Sequence, residues 1–496
     1  MKNIIKHNFQ RTFGLFILAI VWINTSMFAQ EGKAQDSTGL EQFEVNDIHG
    51  QLFISRRFNI IRYLDKFDYL RTNEKINFWE RLKFIPIHKK TNTYLSIGGD
   101  LRTRFDYFKT DNFERLETPT EEYRYDQRLM FHAAIRHKYF GVFSQVLSAW
   151  RLGNDLPEAP VDADDLALHQ LFFILKYPHE STGKQSYLRI GRQEAFIGSG
   201  RLFAIREDPN VRRSYDGVRS NLFINRFKAD LFYFREVPIE PNVFDNDWLA
   251  DRELFGIYMT TPLHKQENRL NLELYYVGID HWENFNQDII EEDERQTVGA
   301  RLVHRRNLDT GFDFDLEANY QFGSAGETDV NAYSISTDIE YFWKINQKEH
   351  RLGLEANIFS GDKEANDGES NTYNPLNPAL GFLSRAPFLN FSNLITVNPS
   401  YRLLLPKGIA VTAETAFAWR QNTSDVIYSP PGLPYFGNAY ESENSYVGLI
   451  PSIELEWAPS AFLSFELFYS GLIKGEYFAS GSENQHNVAL ITYLRF

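Results

Sequence analysis

Residues 95–107 read Leu-Ser-Ile-Gly-Gly-Asp-Leu-Arg-Thr-Arg-Phe-Asp-Tyr. Leu95, Ile97, Leu101, Phe105 and Tyr107 fall on one parity, while Ser96, Asp100, Arg102, Arg104 and Asp106 fall on the other. Successive side chains of a strand point to opposite faces, so this segment is a strand with one oily and one charged face. The same alternation returns downstream. Phe312, Phe314, Leu316, Ala318, Tyr320 and Phe322 interleave with Asp313, Asp315, Glu317, Asn319 and Gln321, and Leu352, Leu354, Ala356 and Ile358 interleave with Arg351, Gly353, Glu355 and Asn357. Ile409–Arg420 and Ala461–Ser470 repeat it.

Eighteen such strands are expected, near 93–108, 123–137, 139–152, 165–178, 184–196, 211–224, 226–237, 250–263, 266–280, 295–306, 311–324, 329–345, 349–361, 389–402, 405–420, 443–458, 460–475 and 485–496. They exceed the usual length of about 5–6 residues for globular strands. A strand tilted by about 40° crosses a bilayer core with about 9–11 residues. Long polar gaps alternate with tight connections such as His137-Lys138, Gln347-Lys348 and Ala458-Pro459, although the gap near 325–328 is short. An even strand count with long loops at one end and short turns at the other is the signature of a transmembrane antiparallel β-barrel. The terminal Phe496, on a face with Val488, Leu490, Thr492 and Leu494, suits a closing strand anchored at the interface. The fold class expected is all-β, a barrel of about 18 strands spanning 93–496.

Composition excludes the main competitors. The 496 residues include no cysteine, which removes disulfide scaffolds, iron–sulfur proteins, thiol enzymes and Cys-ligated zinc. A mean hydropathy of −0.41 and the lack of any long apolar run exclude a bundle of transmembrane helices. The net charge of −14 excludes broad nucleic-acid binding. Lys2, Lys6 and Arg11 precede an apolar stretch from Phe13 to Ile23 and a small residue, Ala29, which is the layout of a secretory signal peptide over residues 1–29. Its removal takes away three positive charges and no negative one, leaving −17. Residues 30–92 lie outside the alternating pattern. They are expected to form an N-terminal extension on the periplasmic side, with short helices, that packs against the barrel mouth or enters the lumen.

The chemistry concentrates in Leu188–Arg219, where Arg189, Arg192, Arg201, Arg206, Arg212, Arg213 and Arg219 face only Glu194, Glu207, Asp208 and Asp216. An eighteen-stranded barrel leaves an aqueous channel, and rings of arginine make anion-selective constrictions. Arginine stays ionised and its planar fork matches carboxylates. Parity sends Arg189 inward, along with Arg102, Arg104, Arg128 and Arg136, whereas Arg192 has the wrong parity unless Gly191 marks a bulge or the strand has reached the rim. Roughly half of these arginines are expected to be structural, paired with acids such as Asp100, Asp106 and Asp126 to hold the lumen open. Replacing Arg212 and Arg213 with Glu is expected to reduce anion preference if that pair lines the constriction.

The run GRQEAFIGSGRLFAIREDPNVRRSYDGVR, from Gly191 to Arg219, resembles the most characteristic stretch of the alginate export porin family. Three further stretches are similar to its pattern: Trp79–Pro86 leading into Tyr94–Arg102, Ser360-Gly361-Asp362 followed by Asn374-Pro375-Leu376, and the C-terminal strand. The resemblance covers about residues 77–496 and implies a monomeric eighteen-stranded outer-membrane barrel in a Gram-negative envelope. It implies that a lumen lined by Arg102, Arg104, Arg128, Arg189, Arg192, Arg201, Arg206, Arg212, Arg213 and Arg219 guides an anionic polyuronate outward. The partners implied are anionic polysaccharide or small anions, outer-membrane lipid and lipopolysaccharide, and periplasmic export partners.

No HExxH, GxSxG, Walker-type or GxGxxG pattern is present, so no catalytic residue, metal or cofactor is expected. Gly198-Ser199-Gly200 reads as a flexible turn, Asn374 and Asn377 before prolines as a turn, and Glu291-Glu292-Asp293-Glu294 as an exposed loop. Pro430, Pro431 and Pro434 belong to a surface loop or one folding into the pore. Two alternatives stand beside polysaccharide export: an uptake porin for small anions or oligosaccharides, and a secreted carbohydrate-active enzyme, for which a convergent carboxylate pair is not evident.

Overall fold

The computed structural model describes residues 58–496 except 73–77, 89, 111–119, 154–158, 180–183, 248–251, 265–268, 287–288, 307–309, 365–366, 431 and 435–441. The signal peptide expected over residues 1–29 and the extension as far as residue 57 lie outside the described residues. Eighteen strands form one closed antiparallel sheet. They are β1 (Thr93–Thr110), β2 (Thr120–Arg136), β3 (Phe140–Leu152), β4 (Asp164–His179), β5 (Lys184–Gln193), β6 (Tyr215–Ile224), β7 (Phe227–Glu236), β8 (Glu253–Pro262) and β9 (Leu270–Asp280). There follow β10 (Ile289–His304), β11 (Gly311–Ala325), β12 (Thr328–Ile345), β13 (Lys348–Phe359), β14 (Leu394–Leu405), β15 (Ile409–Arg420), β16 (Tyr446–Trp457), β17 (Leu463–Lys474) and β18 (Gln485–Arg495). Each strand pairs with the next, and β1 closes on β18 from Asp100↔Arg495 to Lys109↔His486. No helix among the described residues is long and apolar enough to cross a membrane; crossing falls to the strands.

Alternation sets the two surfaces. On β2, Leu129, Phe131 and Ile135 are exposed while Arg128, Met130, His132 and Ala134 are buried. On β13, Leu352 and Leu354 are 55% and 49% exposed, whereas Arg351 is 4% exposed. Such a band of half-exposed large apolar side chains has lipid as its solvent. The turns obey the same economy: Asn346 and Gln347 both take positive φ, at 49° and 65°, in the two-residue hairpin joining β12 and β13. At the other end of the barrel the β11–β12 connection is short because both strands run on, to Ala325 and from Thr328.

Two expectations are corrected. Glu291–Glu294 are not an exposed loop but the start of β10, where Asp293 is fully buried against Arg295 and Asn374. The strands expected at 184–196 and 211–224 end at Gln193 and begin at Tyr215, which hands Arg212 and Arg213 to the intervening loop. That loop, 194–214, is largely buried, because it folds into the lumen and packs against the wall. The extension enters the mouth: Phe58–Thr72 forms two short 3₁₀ turns, Arg62–Leu64 and Asp68–Arg71, and the helix Phe78–Lys83 leads into β1.

Candidate solute-conducting site

Loop 194–214 carries the arginine cluster because its ends are tied to the wall and its middle has no strand to join. Asn210 donates from Nδ2 to the carbonyls of Gln127, Trp150 and Asp162 at 3.2, 3.1 and 3.0 Å. Arg102 of β1 donates to the carbonyls of Glu207, Asp208 and Pro209 at 2.9, 2.7 and 3.0 Å. Arg128 of β2 donates to Glu207 Oε1 at 2.6 Å. Arg212 pairs with Glu207 and, at 3.1 Å, with Glu194, which also contacts His169 Nε2 at 3.0 Å. Arg102, Arg128 and Arg212 therefore converge on one acid and its neighbouring carbonyls. Burial alone would raise the Glu207 carboxyl, but Arg128, Arg212 and Arg102 together hold it well below the usual carboxylate range. The two carboxylates facing Arg212 outweigh its burial and raise its guanidinium.

The far side of the loop leans on a second inward segment, 371–393. Ala204 N–H donates to Asn377 O at 2.8 Å, Asn377 N–H to Leu202 O at 3.2 Å, and Ala379 N–H to Gly200 O at 3.0 Å. The Asn377 side chain donates to Tyr215 Oη at 2.9 Å, so the Asn-Pro turn clips the arginine loop in place. Gly198 and Gly200, at φ 59° and 84°, allow the sharp bend that aims the Ser199 hydroxyl at Glu317. Arg201 faces Glu355 at 3.3 Å and Asp315 and Glu317 at 3.9 Å, with its guanidinium 4.4 Å from the Phe382 ring. Arg385 of the second segment reaches Glu466 at 2.7 Å, Glu454 at 3.2 Å and Asp208 at 3.7 Å.

The remaining candidates separate. Arg104 forks onto Asp106 at 2.6 and 2.8 Å, and Arg219 pairs with Asp230. Arg189 stands opposite Arg219 across the β5–β6 ladder, 4% exposed, with its guanidinium 4.5 Å from the Tyr63 ring and 4.8 Å from the Phe172 ring. Arg192 keeps the parity of Ile190, which is 48% exposed, and the register runs through Gly191 without a shift. Its inward placement is corrected: Arg192 pairs with Asp216 at 2.8 Å and donates to Asn246 O at 3.0 Å, tying loop 237–247 to the rim. Arg213 pairs with Glu236. Arg206, at φ 53°, differs from all of these, since no described oxygen bonds it. Burial and the neighbouring Arg213 pull its guanidinium down to about 10.

Sequence reasoning put Glu317 and Glu355 on the polar face but did not pair them with Arg201, and it missed the inward segment bearing Arg385. Glu355 and Glu317 were legible by parity, whereas the Arg385 contacts carry no local signal.

The fold is shared with solved porins. The chain superposes on the crystal structure of Pseudomonas aeruginosa OccK2 (OpdF) in complex with glucuronate with a TM-score of 0.53 at 13% identity, covering 81% of this chain and 98% of that one. A BenF-like porin from Pseudomonas fluorescens Pf-5 gives 0.52 at 13% identity over 81% and 99%, and Pseudomonas aeruginosa OccK5 (OpdH) gives 0.51 at 10% over 81% and 98%. No curated protein matches the chain in sequence. An eighteen-stranded barrel with lipid-facing apolar bands, an inward arginine loop and a family match over residues 93–490 is an outer-membrane porin, and the chain belongs to the alginate export family.

Proposed function

We propose that this barrel passively conducts an anionic polysaccharide of the alginate type, with loop 194–214 as the narrow, arginine-rich contact zone and no catalytic step. The observation that carries this reading is the concentration of Arg201, Arg206, Arg212 and Arg213 on one inward loop, joined there by Arg102 and Arg128 from the wall, within an alginate export barrel. Conduction needs binding favourable enough to enter and weak enough to leave. Arginines already facing carboxylates meet that requirement, because a polymer carboxylate exchanges one charged partner for another and does not meet a bare cation. Arg206, which no described oxygen hydrogen-bonds, is the loop cation with the fewest contacts to exchange for a solute carboxylate.

A second reading is favoured by the filled lumen: with loop 194–214, segment 371–393 and the described segment 58–72 inside, an uptake channel for small uronates fits the same barrel. Planar-bilayer recording separates the two. Export of a polymer predicts anion-selective current that hexaguluronate blocks in a concentration-dependent way and neutral maltohexaose does not. Block by monomeric glucuronate alone, with the hexamer excluded, favours the small-solute reading, and cation selectivity with neither block overturns both.

A further inference from the structure

We propose that the segment Phe58–Leu70 is a releasable inner strap that occupies the arginines of the solute path and competes with the polyanion for them; this rests on the polyuronate reading above. The strap is held by its own Arg62, 1% exposed, which pairs with Asp65 at 2.9 Å and Asp100 at 2.7 Å and donates to the carbonyls of Gly99 and Phe496, both at 3.0 Å. One side chain thereby ties the strap to both edges of the seam where β1 meets β18.

From that anchor the strap reaches three lumen arginines. Ile60 O accepts from Arg212 at 3.3 Å, Tyr63 O accepts from Arg136 at 2.7 Å, and the Tyr63 ring lies against Arg189. Carbonyl oxygens and an aromatic face are the groups a uronate carboxylate and sugar face would replace. The strap also hides a surface that a water-filled tunnel would not otherwise present. Phe143 and Phe172 point inward and are 0% and 2% exposed, with Tyr63 edge-on to both at 5.8 and 5.0 Å. Ile60 and Ile61 pack with Phe196, Ala204, Ile205 and Ala379, so the strap touches the arginine loop and the second inward segment together. Displacing it trades apolar contacts for carboxylate–arginine pairs, a balance that a neutral solute cannot tip.

The chain contains no cysteine, so Ile61→Cys supplies a unique thiol in the full-length protein. Reconstituted in vesicles, this variant is expected to react slowly with a membrane-impermeant maleimide. Hexaguluronate should accelerate labelling about tenfold, a one-decade shift of the strap equilibrium, and maltohexaose should not. Arg62→Gln in the same background should accelerate labelling without any sugar and raise single-channel conductance in potassium chloride. Tyr63→Ala, which leaves the Arg62 pairs intact, should do the same to a smaller degree and covers the case in which Arg62→Gln does not fold. Hexaguluronate that blocks current while labelling stays unchanged overturns the competition and leaves the polyuronate reading standing. Hexaguluronate that neither blocks nor labels, beside an Arg62→Gln channel that opens, overturns the polyuronate reading and the competition with it. Unchanged conductance and labelling in both strap variants overturns the releasable strap itself.

Discussion

Arg128 on the barrel wall donates to Glu207 at 2.6 Å, so loop 194–214 is held to β2 by a charge pair whose partners are both shielded from bulk water. Glu207 also faces Arg212 and lies beside the carbonyls that Arg102 holds. Removing one partner of such a group leaves the other charges buried and uncompensated.

Glu207→Gln is therefore expected to lower stability by about 3–5 kcal/mol, since Arg128 and Arg212 lose their shared acid. The measurement is thermal unfolding in detergent, followed as the loss of heat-modifiable migration on a gel. An unchanged transition would show that the loop is held by backbone contacts alone.

Acidification should loosen the same loop. Glu207 and Glu194 are both depressed from their ordinary 4.5, against burial, by the arginines that face them. A depressed carboxylate contributes stability that is complete above its unfolded value and is lost as pH falls below it toward the folded one. Unfolding scanned from neutral to about pH 3 should show the stability difference between the parent and Glu207→Gln constant down to the usual carboxylate range and shrinking beneath it.

Asp425 in loop 421–445 should behave in the opposite sense. Burial raises it to about 6 despite hydrogen bonds from Thr372, Asp362 N–H and Tyr428. A raised carboxyl binds its proton more tightly when folded, so its contribution to stability declines as pH rises from about 4 to about 6. Asp425→Asn should flatten that slope in hydrogen exchange of the loop amides.

Selectivity should follow partnering rather than arginine count. Arg206→Glu is expected to lower the anion-to-cation permeability ratio in reversal-potential measurements, because no described oxygen hydrogen-bonds Arg206. Arg192→Gln, at the rim against Asp216, should leave the ratio unchanged. Glu at 212 and 213 should perturb folding first, since those positions face Glu194, Glu207 and Glu236.

Leu354→Arg tests the membrane orientation. Leu354 is 49% exposed on the outer face of β13, and an arginine at the bilayer midplane costs about 2–4 kcal/mol. A similar substitution at the inward Asn357 should cost less by this route, as read by urea unfolding in lipid.

Strand count, parity and the ends of the barrel were legible in the residues because a membrane-crossing strand must alternate to satisfy lipid on one face and water on the other. Phe312 through Phe322 and Leu352 through Ile358 stand where that rule puts them. The rule loses force where backbone leaves the sheet. Arg212 and Arg213 continue an apparently alternating stretch, yet belong to a loop, since the neighbouring β5 and β6 stop at Gln193 and Tyr215. Glu291–Glu294 carry a charge run typical of solvent, yet extend β10, because Arg295 and Asn374 neutralise and bond Asp293. The sequence by itself determined the barrel, its lipid face and the stretch that holds the arginines. Only the tertiary structure decided which arginine meets which acid, and that Arg62 and Tyr63 enter the lumen. Those contacts join residues as far apart as Arg62 and Phe496, whose meeting depends on closure of the barrel seam and not on any local period.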